Sequence, residues 1–223
     1  MSENTLVVAI DGPSGSGKSS VSKAVARRLG AAYLDTGAMY RAVTFAVLAE
    51  GTDLNDAQAV AEAVEQADLK ISTDPDHEQV LIAGQNVTEQ IREPRISEQV
   101  SAVATNLQAR AELVRRQQQI IAEHERIVAE GRDITTVVAP EAQARILLTA
   151  SEEARLRRRG LQLGGQQSQE QLATQVIERD KKDSTVVNFT AAADGVITVD
   201  SSELDFEQTV QAVLDAIGAA QQS

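Results

Sequence analysis

The chain has 223 residues, 42% of them apolar, a formal charge of −12 and no cysteine. That is enough apolar material for one core, built from aliphatic side chains because aromatics make up only 2%; disulfides and thiolate metal sites are excluded. The acidic balance argues against a DNA- or RNA-binding role, and no apolar run reaches the length of a membrane span.

The polar start at Ser2, Glu3, Asn4 and Thr5 shows no signal-peptide pattern, and together with the lack of cysteine it predicts a cytoplasmic protein. Leu6-Val7-Val8-Ala9-Ile10 reads as a short buried strand, and residues 20–29 read as a helix. Between them stands Gly12-Pro13-Ser14-Gly15-Ser16-Gly17-Lys18-Ser19, a G-x-x-x-x-G-K-[ST] pattern in the strand–loop–helix setting it requires. Glycines let backbone N–H groups turn inward around a phosphate, and the helix that follows aims its positive end at the same anion. Gly12 to Ser20 are therefore the expected stretch that binds a nucleoside triphosphate. Lys18 is placed to reach the β- and γ-phosphates, and the Ser19 hydroxyl to hold Mg²⁺.

A second strand is predicted over 31–35, ending in the turn Thr36-Gly37-Ala38-Met39-Tyr40-Arg41, with helices over 40–49 and 56–66. The pattern then changes. Segments 69–73, 79–83 and 85–87 alternate or run β-branched and predict a small antiparallel meander, an insert spanning about 66–95. Residues 93–121 read as a long helix and 127–130 as a strand entering Gly131-Arg132-Asp133. A strand over 144–149 leads to Ser151, the predicted cap of a helix carrying Arg155, Arg157, Arg158 and Arg159. Gly160, Gly164 and Gly165 follow, then a helix over 169–181, a strand over 195–199 and a closing helix over 204–217. Five strands alternating with helices predict an α/β fold: a P-loop NTPase-type five-stranded parallel sheet covered on both faces. In such sheets ligands bind beyond the carboxyl ends of the strands, which puts Asp35, Thr36 and Arg41 on the rim of the phosphate loop.

Four stretches together resemble the bacterial cytidylate kinase family over essentially the whole chain. They are Ile10 to Lys18, Leu34-Asp35-Thr36-Gly37-Ala38-Met39-Tyr40-Arg41, Glu130-Gly131-Arg132-Asp133-Ile134-Thr135-Thr136-Val137-Val138, and Glu178-Arg179-Asp180-Lys181-Lys182-Asp183-Ser184. The meander resembles the enlarged nucleotide-binding subdomain of bacterial members. The resemblance implies transfer of the γ-phosphoryl group of ATP, with Mg²⁺, to CMP or dCMP, by a monomer acting on small molecules and on no nucleic-acid polymer. It implies that Thr36, Arg41 and Arg132 contact the CMP phosphate and that Asp133 accepts from the cytosine amine. Ser101 and Arg110 match further base-contacting positions, and Arg179 and Asp183 match substrate-side positions, although four apart they could also simply pair on a helix. Lys18, Arg132 and two arginines of a lid over about 152–168 would carry the catalysis. Arg155 and Arg159 share a helix face and are favoured over Arg157 and Arg158. Asp35 is placed either to support Mg²⁺ through water or to cap the turn.

Ser101 and Arg110 are nine residues apart, which an unbroken helix would set on opposite sides. The helix should therefore break near Thr105-Asn106, with Asn106 as the new cap. Val186 stands where the family pattern has an arginine, so one substrate-side cation is missing, and Arg92 is a candidate replacement. His77 and His124 are expected to be structural. A kinase of shikimate or gluconate would use the same fold without the meander, and a guanine-nucleotide switch would need an N-K-x-D motif that the chain lacks.

Overall fold

The computed structural model describes residues 5–162, 176–177 and 179–222. Its main sheet holds β1 (Leu6–Asp11), β2 (Ala32–Asp35), β6 (Arg126–Gly131), β7 (Ala144–Thr149) and β8 (Ile197–Asp200), in the order β2-β6-β1-β7-β8. All its pairings are parallel, with Leu6 opposite Arg126, Val8 opposite Ala144 and Ile146 opposite Ile197. Alternation along the strands feeds two cores. Leu6, Val8, Ile10 and Val128 pack under α1 (Lys18–Leu29) and the last helix, α8 (Phe206–Ala220), through Val21, Val25, Val210 and Val213. Ala9, Leu34, Ile127 and Ala129 face the other way, onto α2 (Thr36–Ala49), α3 (Ala57–Gln66), α4 (Pro94–Ala104) and α5 (Leu107–Ala122). Burial on both faces is why these strands read as near-continuous apolar runs.

The predicted meander is a separate three-stranded antiparallel sheet, β3 (Leu69–Ile71), β4 (Val80–Ile82) and β5 (Gln85–Asn86). Val80, Val87 and Ile91 seat it on Ala38 and Ala42 of α2. At its far side the backbone N–H of Tyr33 in β2 donates to the carbonyl of Thr73 at 2.8 Å.

Two helices begin earlier than their apolar periodicity suggests. Helix α1 starts at Lys18, with Gly17 as its cap at φ 88°, so the lysine and serine of the phosphate loop occupy its first turn. Helix α2 starts at Thr36 because the Asp35 carboxylate accepts from the N–H of Ala38 at 2.7 Å, converting the expected turn into helix. The break between α4 and α5 falls where helix geometry requires it: Asn106 is extended, and its side chain accepts from Gln108 N and Ala109 N at 3.1 Å each. Helix α6 (Glu152–Gln162) begins after Ser151, whose hydroxyl accepts from Ala154 N. Helix α7 (Arg179–Asp183) is the described end of the helix expected over 169–181. Residues 163–175, which hold the lid beyond 162 and the start of that helix, Glu178 and the side chain of Arg179 lie outside the described residues.

Candidate active site

Every strand of the main sheet except the outermost β8 delivers a polar group of the site at its carboxyl end, or leads directly into an element that does. These groups surround a cleft of ≈ 780 Å³. Strand β1 runs into the phosphate loop and α1. Strand β2 ends in Asp35 and Thr36, β6 in Glu130, Gly131, Arg132 and Asp133, and β7 leads into the arginines of α6.

Inside the phosphate loop the Ser16 hydroxyl is fully buried and has no hydrogen-bond partner among the described residues. Unpaired donors facing an enclosed loop suit an incoming anion. Gly15, at φ +77°, cannot carry a side chain: a Cβ would stand 2.7 Å from the carbonyl oxygen of Arg155, because α6 lies directly on the loop. Lys18 Nζ lies 3.6 Å from Glu130 Oε2, and Ser19 Oγ donates to Glu130 Oε1 at 2.6 Å. Glu130 is 2% exposed. Burial, and next the charge of Asp35, hold its carboxyl above the ordinary range against the pull of Lys18 and Ser19. Burial pushes Asp35 the same way, but Arg41, the Ala38 N–H and Lys18 outweigh it and hold that group low. Asp35 therefore caps α2, pairs with Arg41 at 3.1 Å and still lines the cleft. Sequence reasoning passed over Glu130 as strand body; the signal was a carboxylate ending the apolar run Ile127-Val128-Ala129.

The opposite wall carries a buried ion pair. Arg110 Nη2 donates to Asp133 Oδ2, and Arg110 Nη1 donates to the carbonyl of Ala104 at 3.1 Å, reaching back across the α4–α5 break. Tyr40 lies along the same wall, its ionisation pushed up by burial and then by Asp133. Asp133 opens a π-type turn over Ile134–Val138, in which Val138 N–H returns to the Asp133 carbonyl. Asp11, the last residue of β1, holds that turn. Its buried carboxylate accepts from Ile134 N at 2.8 Å, Thr135 N at 2.9 Å and Thr135 Oγ1 at 2.6 Å. Burial nevertheless leaves Asp11 above the usual carboxylate range. Thr36 Oγ1 donates to the Glu130 carbonyl at 2.8 Å, and Ser101 Oγ donates to Asp183 Oδ1 at 3.1 Å.

The arginines of α6 divide. Arg157, Arg158 and Arg159 line the cleft. Burial and then the charge of Arg41 lower the ionisation of Arg159, so two cations converge on one space. Arg158 is also fastened to the carbonyls of Ser16 and Ser201, at 3.1 and 2.6 Å. Arg155 does not line the cleft; it donates to the Ser14 carbonyl at 2.9 Å and to Asp180 Oδ2 at 2.6 Å. Arg92 lines the cleft and pairs with Glu78 at 2.7 Å, while Val186 is half-buried in the turn after α7 and carries no charge to the site. His124 bonds Thr73 and the Ile120 carbonyl, His77 pairs with Asp74 on the surface, and neither lines the cleft.

The family model for cytidylate kinase matches residues 8–219. The chain belongs to the cytidylate kinase family. A cytidylate kinase of Cutibacterium acnes is 48% identical over 219 residues, covering 97% of this chain and 98% of its own. One of Bacillus subtilis is 40% identical, covering 96% and 97%. Among solved structures, a gluconokinase from Sinorhizobium meliloti superposes with a TM-score of 0.52 at 16% identity, covering 98% of this chain and 94% of that one. That likeness concerns the fold alone. The alternation of parallel strands with helices is shared, while the wall of Arg110 and Asp133 is read from this family's own chain.

Proposed function

We propose that the protein transfers the γ-phosphoryl group of ATP to CMP or dCMP, giving CDP or dCDP and ADP. The observation that carries this reading is a single cleft joining the phosphate loop to the Arg110–Asp133 wall at one edge of the sheet. The loop N–H groups, Lys18 and the first turn of α1 receive the triphosphate; Gly12 to Ser20 form that cradle. Arg41, Thr36 and Arg132 receive the acceptor phosphate, for which a guanidinium supplies two parallel hydrogen bonds. Asp133 accepts from the cytosine amine, with Arg110 and Ser101 completing the base pocket; uracil would set a carbonyl against the same carboxylate. Asp183 and Arg179 serve the sugar and phosphate side. Arg159, with Arg157, faces the transferring group from α6, while Arg155 acts from behind the loop.

The donor set fits a divalent cation that arrives with the nucleotide. Ser19 Oγ already sits against a carboxylate, and burial followed by the charge of Asp35 raises the cost of ionising Glu130. Ser19 would hold Mg²⁺ directly and Asp35 through water, and the ion would offset phosphate charge. An acceptor phosphate is already an anionic nucleophile, so the residues need no general base; they orient the two phosphates, offset charge and exclude water.

We further place the protein in the cytoplasm as a monomer that handles small nucleotides and no polymer. The charge of −12 supports the exclusion of nucleic-acid polymers, and no described helix is long and apolar enough to cross a membrane. The deciding experiment is coupled ADP release with ATP and Mg²⁺ against CMP, dCMP, UMP, AMP, GMP, shikimate and gluconate. Turnover with CMP and dCMP and little with the rest is expected; turnover with shikimate or gluconate, or with none, would overturn the reading.

A further inference from the structure

Asp180 has no place in the substrate reading above, yet it is 7% exposed and touches Arg132, the phosphate loop and α6 at once. Its Oδ1 accepts from the Ser14 N–H at 3.1 Å and pairs with Arg132 Nη2 at 2.8 Å. Its Oδ2 accepts from Arg155 Nη1 at 2.6 Å. The two arginines close the figure on the same serine: Arg155 donates to the Ser14 carbonyl at 2.9 Å, and Arg132 donates to Ser14 Oγ at 2.7 Å. All three polar groups of Ser14 are thus taken by one carboxylate and the two guanidinium groups it holds. Arg132 is fixed from two more sides, by Asp183 at 3.0 Å and by the buried ring of Phe189, 4.4 Å from its guanidinium carbon.

We propose that Asp180 is a positioning residue that locks Arg132 and helix α6 onto the phosphate loop, so that donor and acceptor phosphates meet one rigid set of cations. The cluster holds two cations and two anions, and taking such groups out of water is costly; well-packed apolar residues would stabilise the fold as well or better. What the carboxylate adds is geometry. It sets Arg132 relative to Ser14, and through Arg155 it holds α6 so close that position 15 admits only glycine. Because α6 also carries Arg157, Arg158 and Arg159, the Asp180–Arg155 pair, with the bonds of Arg158 to Ser16 and Ser201, sets where the cleft-facing arginines stand. Asp180 touches no substrate in this arrangement and acts through its partners.

This inference rests on the reading of Arg132 as the arginine that meets the acceptor phosphate, and the test separates the two. Asp180→Asn, Arg132→Gln and the double variant are assayed by ADP release with ATP and CMP, alongside thermal unfolding. Displacement of a positioned group costs about 100-fold, so Asp180→Asn is expected to lower kcat by roughly 30- to 100-fold. KM for CMP should stay within about threefold, because one negative charge has left the anion site. The double variant should be no worse than Arg132→Gln by more than about threefold, since both remove one function. A parental kcat in Asp180→Asn with Arg132→Gln impaired overturns the proposal alone, as does a lowered unfolding temperature without loss of kcat, or losses that multiply in the double variant. Parental activity in Arg132→Gln overturns the reading of Arg132 and the proposal with it. Should the Asn variant not fold, Asp180→Glu keeps the charge but moves it by one methylene; a kcat loss of about 10-fold is expected, and a parental kcat refutes the lock.

Discussion

Replacing Asp133 by alanine tests how the base is read. The carboxylate is 5% exposed and is paired with Arg110, whose side chain is 13% exposed. For CMP the variant loses a hydrogen bond to a charged acceptor, worth about 1.5–3 kcal/mol. For UMP it removes a carboxylate that opposes the uracil carbonyl, so the second substrate gains while the first loses. A combined change of about 2–3 kcal/mol is roughly 30- to 150-fold in the CMP/UMP ratio of kcat/KM, at 1.4 kcal/mol per decade. Arg110 keeps only the Ala104 carbonyl as described partner, and its orphaned charge should destabilise the fold by about 1–3 kcal/mol. The assay is ADP release with each substrate, well below the unfolding temperature of the variant. If both substrates lose activity in proportion and the ratio stays within about twofold, the base is not read by Asp133 and the wall has been misassigned.

Three further outcomes are expected. Lys18→Ala should lower kcat by at least about 100-fold with the fold intact, checked by ADP release and circular dichroism. Asp11→Ala orphans two buried N–H groups and a hydroxyl of the turn over Ile134–Val138; a loss of about 3 kcal/mol, or roughly 6–12 °C in unfolding temperature, should accompany weaker base discrimination. Glu112 is hydrogen-bonded by Arg115 and Arg116, which hold its carboxyl down at about 2. A lowered folded-state value gives stability that is present above the unfolded value near 4.5 and lost as pH falls toward 2. Glu112→Gln should therefore cost about 1 kcal/mol at pH 7, after allowing for solvent screening. It should cost almost nothing at pH 2, as judged by urea unfolding at the two pH values.

How much of this was legible in the sequence follows the range of the interactions. The phosphate loop is written in glycine spacing, and the break before Asn106 follows from helix periodicity plus a capping side chain; both are local. The early start of α2 at Thr36 was less visible because Asp35 had two competing local roles, and the structure gives it both the cap and the cleft. Glu130 and Asp180 were missed for another reason. A carboxylate at a strand end or in a charged helix looks like a solvated face until folding sets it against Ser19, 111 residues away, or Ser14, 166 residues away. The division of the α6 arginines is of the same kind: helical spacing groups Arg155 with Arg159, but the loop beneath α6 claims Arg155 first.

The bond from the Tyr33 N–H to the Thr73 carbonyl reaches beyond the site. Strand β2 is one of the two edges of the five-stranded sheet, and outward-facing amide hydrogens at such an edge are a template for pairing with another chain. The insert covers one of those amides with a backbone carbonyl of its own, just past the end of β3. Removing the insert would take Glu78 and Arg92 from the cleft and, at the same stroke, uncover the Tyr33 amide at the sheet edge.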